Sequence, residues 1–247
     1  MDGGKTIKQV IEEYNKAMND SNKYTVLVRD SKLQAIQIEE LSKMKNEIKG
    51  YKYGAISAGD EQAANILFHL QCGLNAQKTF LKMWINIKKK KYYDAWDNLI
   101  DAEEYISIAL KAANDSYGMT EFMERLKQVE RVVFPGYNVY NSWGAIIRGG
   151  TCTVCRKLLD ECMHMEGLVY WGKLCVRVNP EIVDIDHFAM VTEPRDRRCV
   201  VTQVTLDDGY YHDYMTQRKI KKVGAIPEGS LGYMKGRMFH NKLVEID

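Results

Sequence analysis

Residues 150–175 read GTCTVCRKLLDECMHMEGLVYWGKLC and hold four of the chain's six cysteines and one of its five histidines. Cys152 and Cys155 stand as Cys-x2-Cys, a spacing that lets two thiolates on a tight turn face one ion. Cys162, His164 and Cys175 follow within reach of the same ion. Thiolates and imidazole are soft and borderline donors, and four of them in tetrahedral array suit Zn2+. A zinc ion is therefore the expected cofactor, with Cys152, Cys155, His164 and Cys175 as the favoured ligands and Cys162 as the alternate. Cys162-x-His164 would need an unusual bite for both side chains to bind. Gly167 and Gly172 allow the chain to turn back between His164 and Cys175.

Three thiolates and one imidazole close the shell of a zinc ion, whereas catalytic zinc keeps a position for water. Base deaminases use thiolate-rich zinc but place His-x-Glu ahead of Pro-Cys-x-x-Cys. Here His164-Met165-Glu166 follows Cys152-x2-Cys155, and no proline precedes Cys152. A structural zinc is the expectation.

Other chemistry-bearing residues are sparser. Asp184, Asp186 and His187 cluster in VDIDHFAM and, with Glu181 or His212, could form a second metal or nuclease site. On a strand, Asp184 and Asp186 share a face and His187 points the other way, so the trio does not converge unaided. Arg195, Arg197 and Arg198 follow Pro194, and Arg218, Lys219, Lys221 and Lys222 lie close to Tyr210, Tyr211 and Tyr214. Cations interleaved with aromatics suit phosphate contact and base stacking. Asp207, Asp208 and Asp213 make a solvated surface the simpler account. Phosphate-loop and Gly-x-Ser-x-Gly nucleophile motifs are absent.

The stretch CTVCRKLLDECMHMEGLVYWGKLC, with HFAMVTEPRDRRC downstream, resembles a cysteine-rich module of uncharacterised bacterial proteins and of phage head-assembly proteins. The residues that carry it are Cys152, Cys155, Cys162, His164, Gly167, Tyr170, Gly172 and Cys175, and it covers about residues 152–199. It implies a zinc-stabilised module acting in phage assembly or anti-phage defence, and brings no catalytic residue with it. This chain has Arg156-Lys157 where such modules often carry Gly-Lys.

The elements that must position these groups divide in two. TIKQVIEEYNKAM places Ile7, Val10, Ile11, Tyr14 and Met18 on one helix face, with Thr6 as cap. KYTVLV (23–28) is a short strand or a connector. Leu41, Met44 and Ile48 give the next helix its face, and Gly50 suits its stop. Asp60 caps a helix that is apolar on several faces, with His69 and Cys72 as packing residues. A stripe of Tyr92, Ala95, Trp96, Leu99, Ala102, Ile106, Ala109, Leu110 and Ala113 follows, opposite a solvated face of Asp94, Asp97, Asp101 and Glu104. A last helix starts at Thr120 and stops at Pro135-Gly136. Beyond it, GLVYWGKLCVRV, IVDIDHFAMVT and RCVVTQVTL read as strands, and the Gly-rich end (223–247) as a loose extension.

The expected fold is α+β: an antiparallel helical domain at 1–135 and a zinc-stabilised, β-containing domain at 136–247. Net charge is +2 over 247 residues, which implies no broad nucleic-acid surface but permits a local patch. No apolar run is long enough for a membrane span, and the polar start MDGGKTIKQV lacks a signal-peptide core. A cytoplasmic location is expected, where clustered thiols bind metal rather than form disulfides. The expected function is non-catalytic recognition of a protein partner, with nucleic acid as a possible target. The alternative is a zinc-knuckle nuclease of HNH type or another nucleic-acid-acting enzyme.

Overall fold

A computed structural model describes residues 5–113, 116–136, 139–206, 208–222, 224 and 234–237. The chain is α+β: five helices, α1 (Ile7–Asn22), α2 (Ser31–Ser57), α3 (Glu61–Lys88), α4 (Tyr92–Ala112) and α5 (Met119–Val133), precede a strand-rich region. Local chemistry sets most helix ends. Thr6 and Gln9 form a reciprocal capping box on α1. The Asp60 carboxylate accepts from the Ala63 N–H at the start of α3. The KYTVLV segment is a connector of turns, held by the Asp30 cap of α2 and by Gln34, whose amide donates to Tyr24 O and Val26 O.

α3 is the spine and packs chiefly on α4 and α2. Its buried residues run from Ala63 to Trp84 and lie on all sides, so no solvated stripe is left in its middle. His69 and Cys72 serve packing there. The His69 ring pairs through Nδ1 with Ala109 O at 2.8 Å, and burial pushes the Cys72 thiol up to about 12. α5 docks through Phe122 against Phe80 and through Arg125, which bonds Asn22 Oδ1 and Thr25.

Two expectations fail in the helices. α2 does not stop at Gly50 but runs seven residues further to Ser57, and Gly59, with φ +73°, provides the turn. The continuation is held by Lys52, a charged residue that is nevertheless buried. In α4, Asp94 is exposed but Asp101 is buried, so the carboxylates do not form one solvated face.

The strands are β1 (Tyr140–Arg148), β2 (Thr151–Cys152), β3 (Val169–Tyr170), β4 (Lys173–Leu174), β5 (Arg177–Val178), β6 (Glu181–Val191), β7 (Val201–Thr205), β8 (Tyr210–Asp213), β9 (Lys219–Lys222) and β10 (Met234–Gly236). They form three two-stranded sheets, β1-β6, β2-β5 and β3-β4, and a four-stranded sheet ordered β10-β7-β8-β9. Apart from β10, most of 223–247 lies outside the described residues.

The compact units differ from a single cut after residue 135. One unit combines the described residues within Met1–Glu130 and Gly149–Glu181, and the other those within Arg131–Arg148 and Ile182–Lys242. The cysteine window thus belongs with the helices, through bonds described below. No described helix is long and apolar enough to cross a membrane.

Candidate metal centre

Cys152 ends β2 and opens the knuckle. Its N–H donates to Lys157 O at 2.8 Å, the Arg156 N–H donates back to Cys152 O at 2.9 Å, and the Val154 N–H points at Cys152 Sγ from 3.4 Å. This closes a turn that faces Cys152 and Cys155 toward each other. Arg156 pays for it with φ +67°, the left-handed region in which glycine is at ease. A glycine at this position would supply that conformation without strain.

Cys162 and His164 follow a single 3-10 turn, Leu159–Glu161. Cys162 is extended, with φ −106° and ψ 158°. Successive side chains on extended backbone point to opposite sides. Met163 and Met165 accordingly point out, 96% and 66% exposed, while Cys162 and His164 face the same way. The bite that looked unusual in the sequence is met outside any strand, with Cys162 and His164 both inside the donor group.

Cys152, Cys155, Cys162 and His164 offer four donor atoms that all lie within 4.8 Å of one another. Cys175 lies at the border of this group, its Sγ 3.6 Å from Cys152 Sγ. All five sequence-selected donors therefore converge, and Cys162 takes a place in the tight four. A tetrahedral ion with bonds of about 2.3 Å holds its sulfurs roughly 3.8 Å apart. The 3.6 Å between Cys152 Sγ and Cys175 Sγ lies near that spacing, and the 3.8 Å between Cys152 Sγ and His164 Nδ1 lies near the slightly shorter one of a sulfur and a nitrogen. The donor set fits a soft or borderline ion such as zinc.

Charge is unevenly spread over the thiols. Burial raises Cys152, but N–H groups of Cys155 and Val154 and the thiols of Cys175 and Cys155 outweigh it and bring it down to about 7. Burial, reinforced by Cys152, pushes Cys175 up to about 12. Cys162 is raised as well, first by burial. Cys152 thus carries the first negative charge, and an arriving cation must displace the remaining thiol protons.

Several further residues support the donors. Tyr170 sets its ring edge-on to His164, with centroids 4.7 Å apart, and its hydroxyl accepts from the Met165 N–H. Arg177 forks onto Asp160 at 2.7 and 3.2 Å and also donates to Gly149 O, tying the two ends of the window. That guanidinium holds the Asp160 carboxyl below its usual range.

The β3-β4 hairpin turns at Trp171 and Gly172, both with positive φ, as a two-residue type I′ loop requires. This turn docks on the helices. Trp171 N–H donates to Glu61 Oε1 at 3.1 Å, Gly172 N–H to Asn65 Oδ1 at 2.7 Å, and Lys52 Nζ to Gly172 O at 3.1 Å. A Cβ at Gly172 would meet Lys52 Cδ at 2.8 Å and Ala64 O at 2.9 Å, so glycine is required by contact as well as by φ.

The remaining candidates do not join this site. His187 bonds its neighbour Asp186 at 2.8 Å, and His212 bonds Asp208 at 3.1 Å. Among the described residues, no group of three metal donors forms around Asp184, Asp186 and His187. In the arginine loop, Arg195 is exposed and Arg197 half-buried. Arg198 is 2% exposed and paired with Asp196 at 2.8 Å, which withdraws it from any partner surface. Arg218, Lys219, Lys221 and Lys222 are all exposed, with Lys219 held by Asp208 at 2.9 Å. Lys219 and Lys221 lie over the Tyr210 and Tyr211 rings.

Comparison of the chain with family models, with curated proteins and with solved structures gives no match.

Proposed function

We propose that this protein is a zinc-stapled, non-catalytic recognition protein. The observation that carries the proposal is the donor set: three sulfurs and one imidazole nitrogen within 4.8 Å, enough to fill a tetrahedral shell with no position left for water or substrate. Cys152, Cys155, Cys162 and His164 would hold the ion, with Cys175 beside them. The ion would supply cross-linking rather than Lewis acidity. It would fix the β3-β4 turn that bonds Lys52, Glu61 and Asn65, and so brace one end of the helical bundle. Recognition would fall to Arg195, Arg197 and the Arg218–Lys222 edge, whose charge suits an acidic protein partner, with nucleic acid as the second target. Phage assembly or defence, implied by the resemblance, is the setting proposed for such an adaptor.

The test begins with metal analysis of protein purified without added zinc. One zinc per chain is expected, and a strong chelator should lower the melting temperature of the helices as well as loosen the loop. A metal content near zero, with melting indifferent to chelator, would refute the staple. Incubation of the loaded protein with single- and double-stranded DNA and RNA checks the second half. Retention without cleavage agrees with recognition, and metal-dependent cleavage would overturn the non-catalytic assignment.

A further inference from the structure

β6 is eleven residues long, and its first eight residues, Glu181–Phe188, are exposed. It pairs with β1 alone among the described residues, which leaves its second edge without a strand. Ile182, Val183, Ile185, Phe188 and Met190 are all exposed large apolar residues and fall on both faces of the ribbon. A two-stranded ribbon is marginal in water, and a long apolar edge is a template for another strand. Folded chains usually blunt such an edge with charge. Here the acidic residues are Glu181 at the start of the strand and Asp184 and Asp186, two residues apart on one face, with Asp186 bonded to His187.

A second edge of opposite sign stands at the end of the four-stranded sheet. Among the described residues β9 is its last strand, and Lys219, Ile220, Lys221 and Lys222 are exposed, with Arg218 just before them. Lys222 and Lys219 oppose Tyr210 and His212 of β8, which are two residues apart. A bulge thus brings Lys219 and Lys222 onto one face at the spacing that Asp184 and Asp186 have on β6. Pairing of like edges would set Asp184 and Asp186 against their own copies, or lysines against lysines, and both are repelled. Pairing of unlike edges sets lysines against aspartates.

We infer that the chain associates with itself head to tail, the basic β9 edge of one copy adding to the acidic, apolar β6 edge of the next. Such a contact is heterologous, so it closes into a ring or extends as a filament according to the rotation between copies. Lys219 and Lys222 carry the charge of the contact on that face, with Lys219 shared with Asp208, while Lys221, opposite Tyr211, lies on the other face. The inference uses no metal ligand and is independent of the zinc staple.

Sedimentation of the full chain over a wide concentration range tests it. The wild type should gain mass with concentration and lose that gain as salt screens the charges. Asp184→Lys/Asp186→Lys and Lys219→Glu/Lys222→Glu should each remain monomeric alone, with unchanged circular dichroism. An equimolar mixture of the two should associate again, because each reversed edge then meets an opposite one. Wild type that stays monomeric overturns the inference, as does a variant that still assembles alone or a mixture that fails to recover. Amide exchange of unmodified protein gives a check without substitution: β6 amides should slow with concentration, and unchanged β6 exchange across the range overturns the pairing.

Discussion

Lys52 is the most informative residue to perturb. It is 1% exposed on α2, its ammonium donates to Gly172 O at 3.1 Å, and it lies 5.0 Å from the Phe68 ring centroid. Lys52→Ala removes three buried methylenes, worth about 2 kcal/mol. It also leaves the Gly172 carbonyl without that donor, at about 1–3 kcal/mol, and forfeits about 1 kcal/mol of attraction to the Phe68 ring. Against these stands relief from burying an ammonium, several kcal/mol in the other direction. The net expectation is a loss of about 3 kcal/mol for Lys52→Ala, or roughly 6–12 °C in melting temperature for a unit of this size. Lys52→Met keeps most of the stem and escapes the desolvation cost, so its loss should be about 1 kcal/mol.

Urea unfolding followed by circular dichroism, with and without a chelator, measures both variants. If the loop docks on Lys52 only while its donors are held together, the Lys52→Ala penalty shrinks in chelated protein, because the two perturbations then share one interaction. A penalty under about 1 kcal/mol would refute the account of Lys52 as the anchor of the hairpin turn. Equal penalties for alanine and methionine would show that the stem contributes nothing and the hydrogen bond everything.

Cys162→Ser should weaken metal binding at least ~10-fold more than Cys175→Ser, read by competition with a chromogenic chelator; the reverse order would make Cys175 the fourth ligand. Arg156→Gly should stabilise the loaded protein by about 0.5–1 kcal/mol, since it removes an L-residue from φ +67°, and a destabilised variant would show that the Arg156 side chain holds the knuckle. Cys72 should resist alkylation at pH 8 until the helices unfold. Its folded thiol is raised to about 12 from a value of 9.0, so its contribution to stability is complete below pH 9 and is lost as pH rises toward 12. Mass spectrometry of alkylated native protein checks this, and rapid labelling of Cys72 would show that the core opens locally.

What the sequence revealed follows the range of the interactions. Thr6 with Gln9, and Asp60 with Ala63, are contacts within one helical turn, and both caps stand where those residue types place them. The convergence of the cysteines and His164 is legible for the same reason, since the knuckle and the Cys162-x-His164 arm are each short. The choice between Cys162 and Cys175 depends on backbone shape, which residue spacing does not carry: Cys162 joins His164 in the tight group, while Cys175 Sγ lies 3.6 Å from Cys152 Sγ. The misplaced end of α2 has a different origin. Past Ile48 the face of that helix is carried by Lys52, which an apolar period does not register. Its partner, Gly172, is 120 residues away.

That one contact also accounts for the company the cysteine window keeps. A rise in β-branched residues after Pro135 marks a change of secondary structure, and secondary structure alone does not decide which elements share a core. The hairpin turn at Trp171 and Gly172 presents backbone N–H and C=O groups that no strand satisfies, and Glu61, Asn65 and Lys52 of the helices supply their partners. Buried backbone groups must be paired somewhere. The pairing draws residues 149–181 into the helical unit while β1, β6 and the four-stranded sheet form the other. A metal bound between Cys152 and His164 would therefore act on the helices first, and the edges of β6 and β9 would be free to act without it.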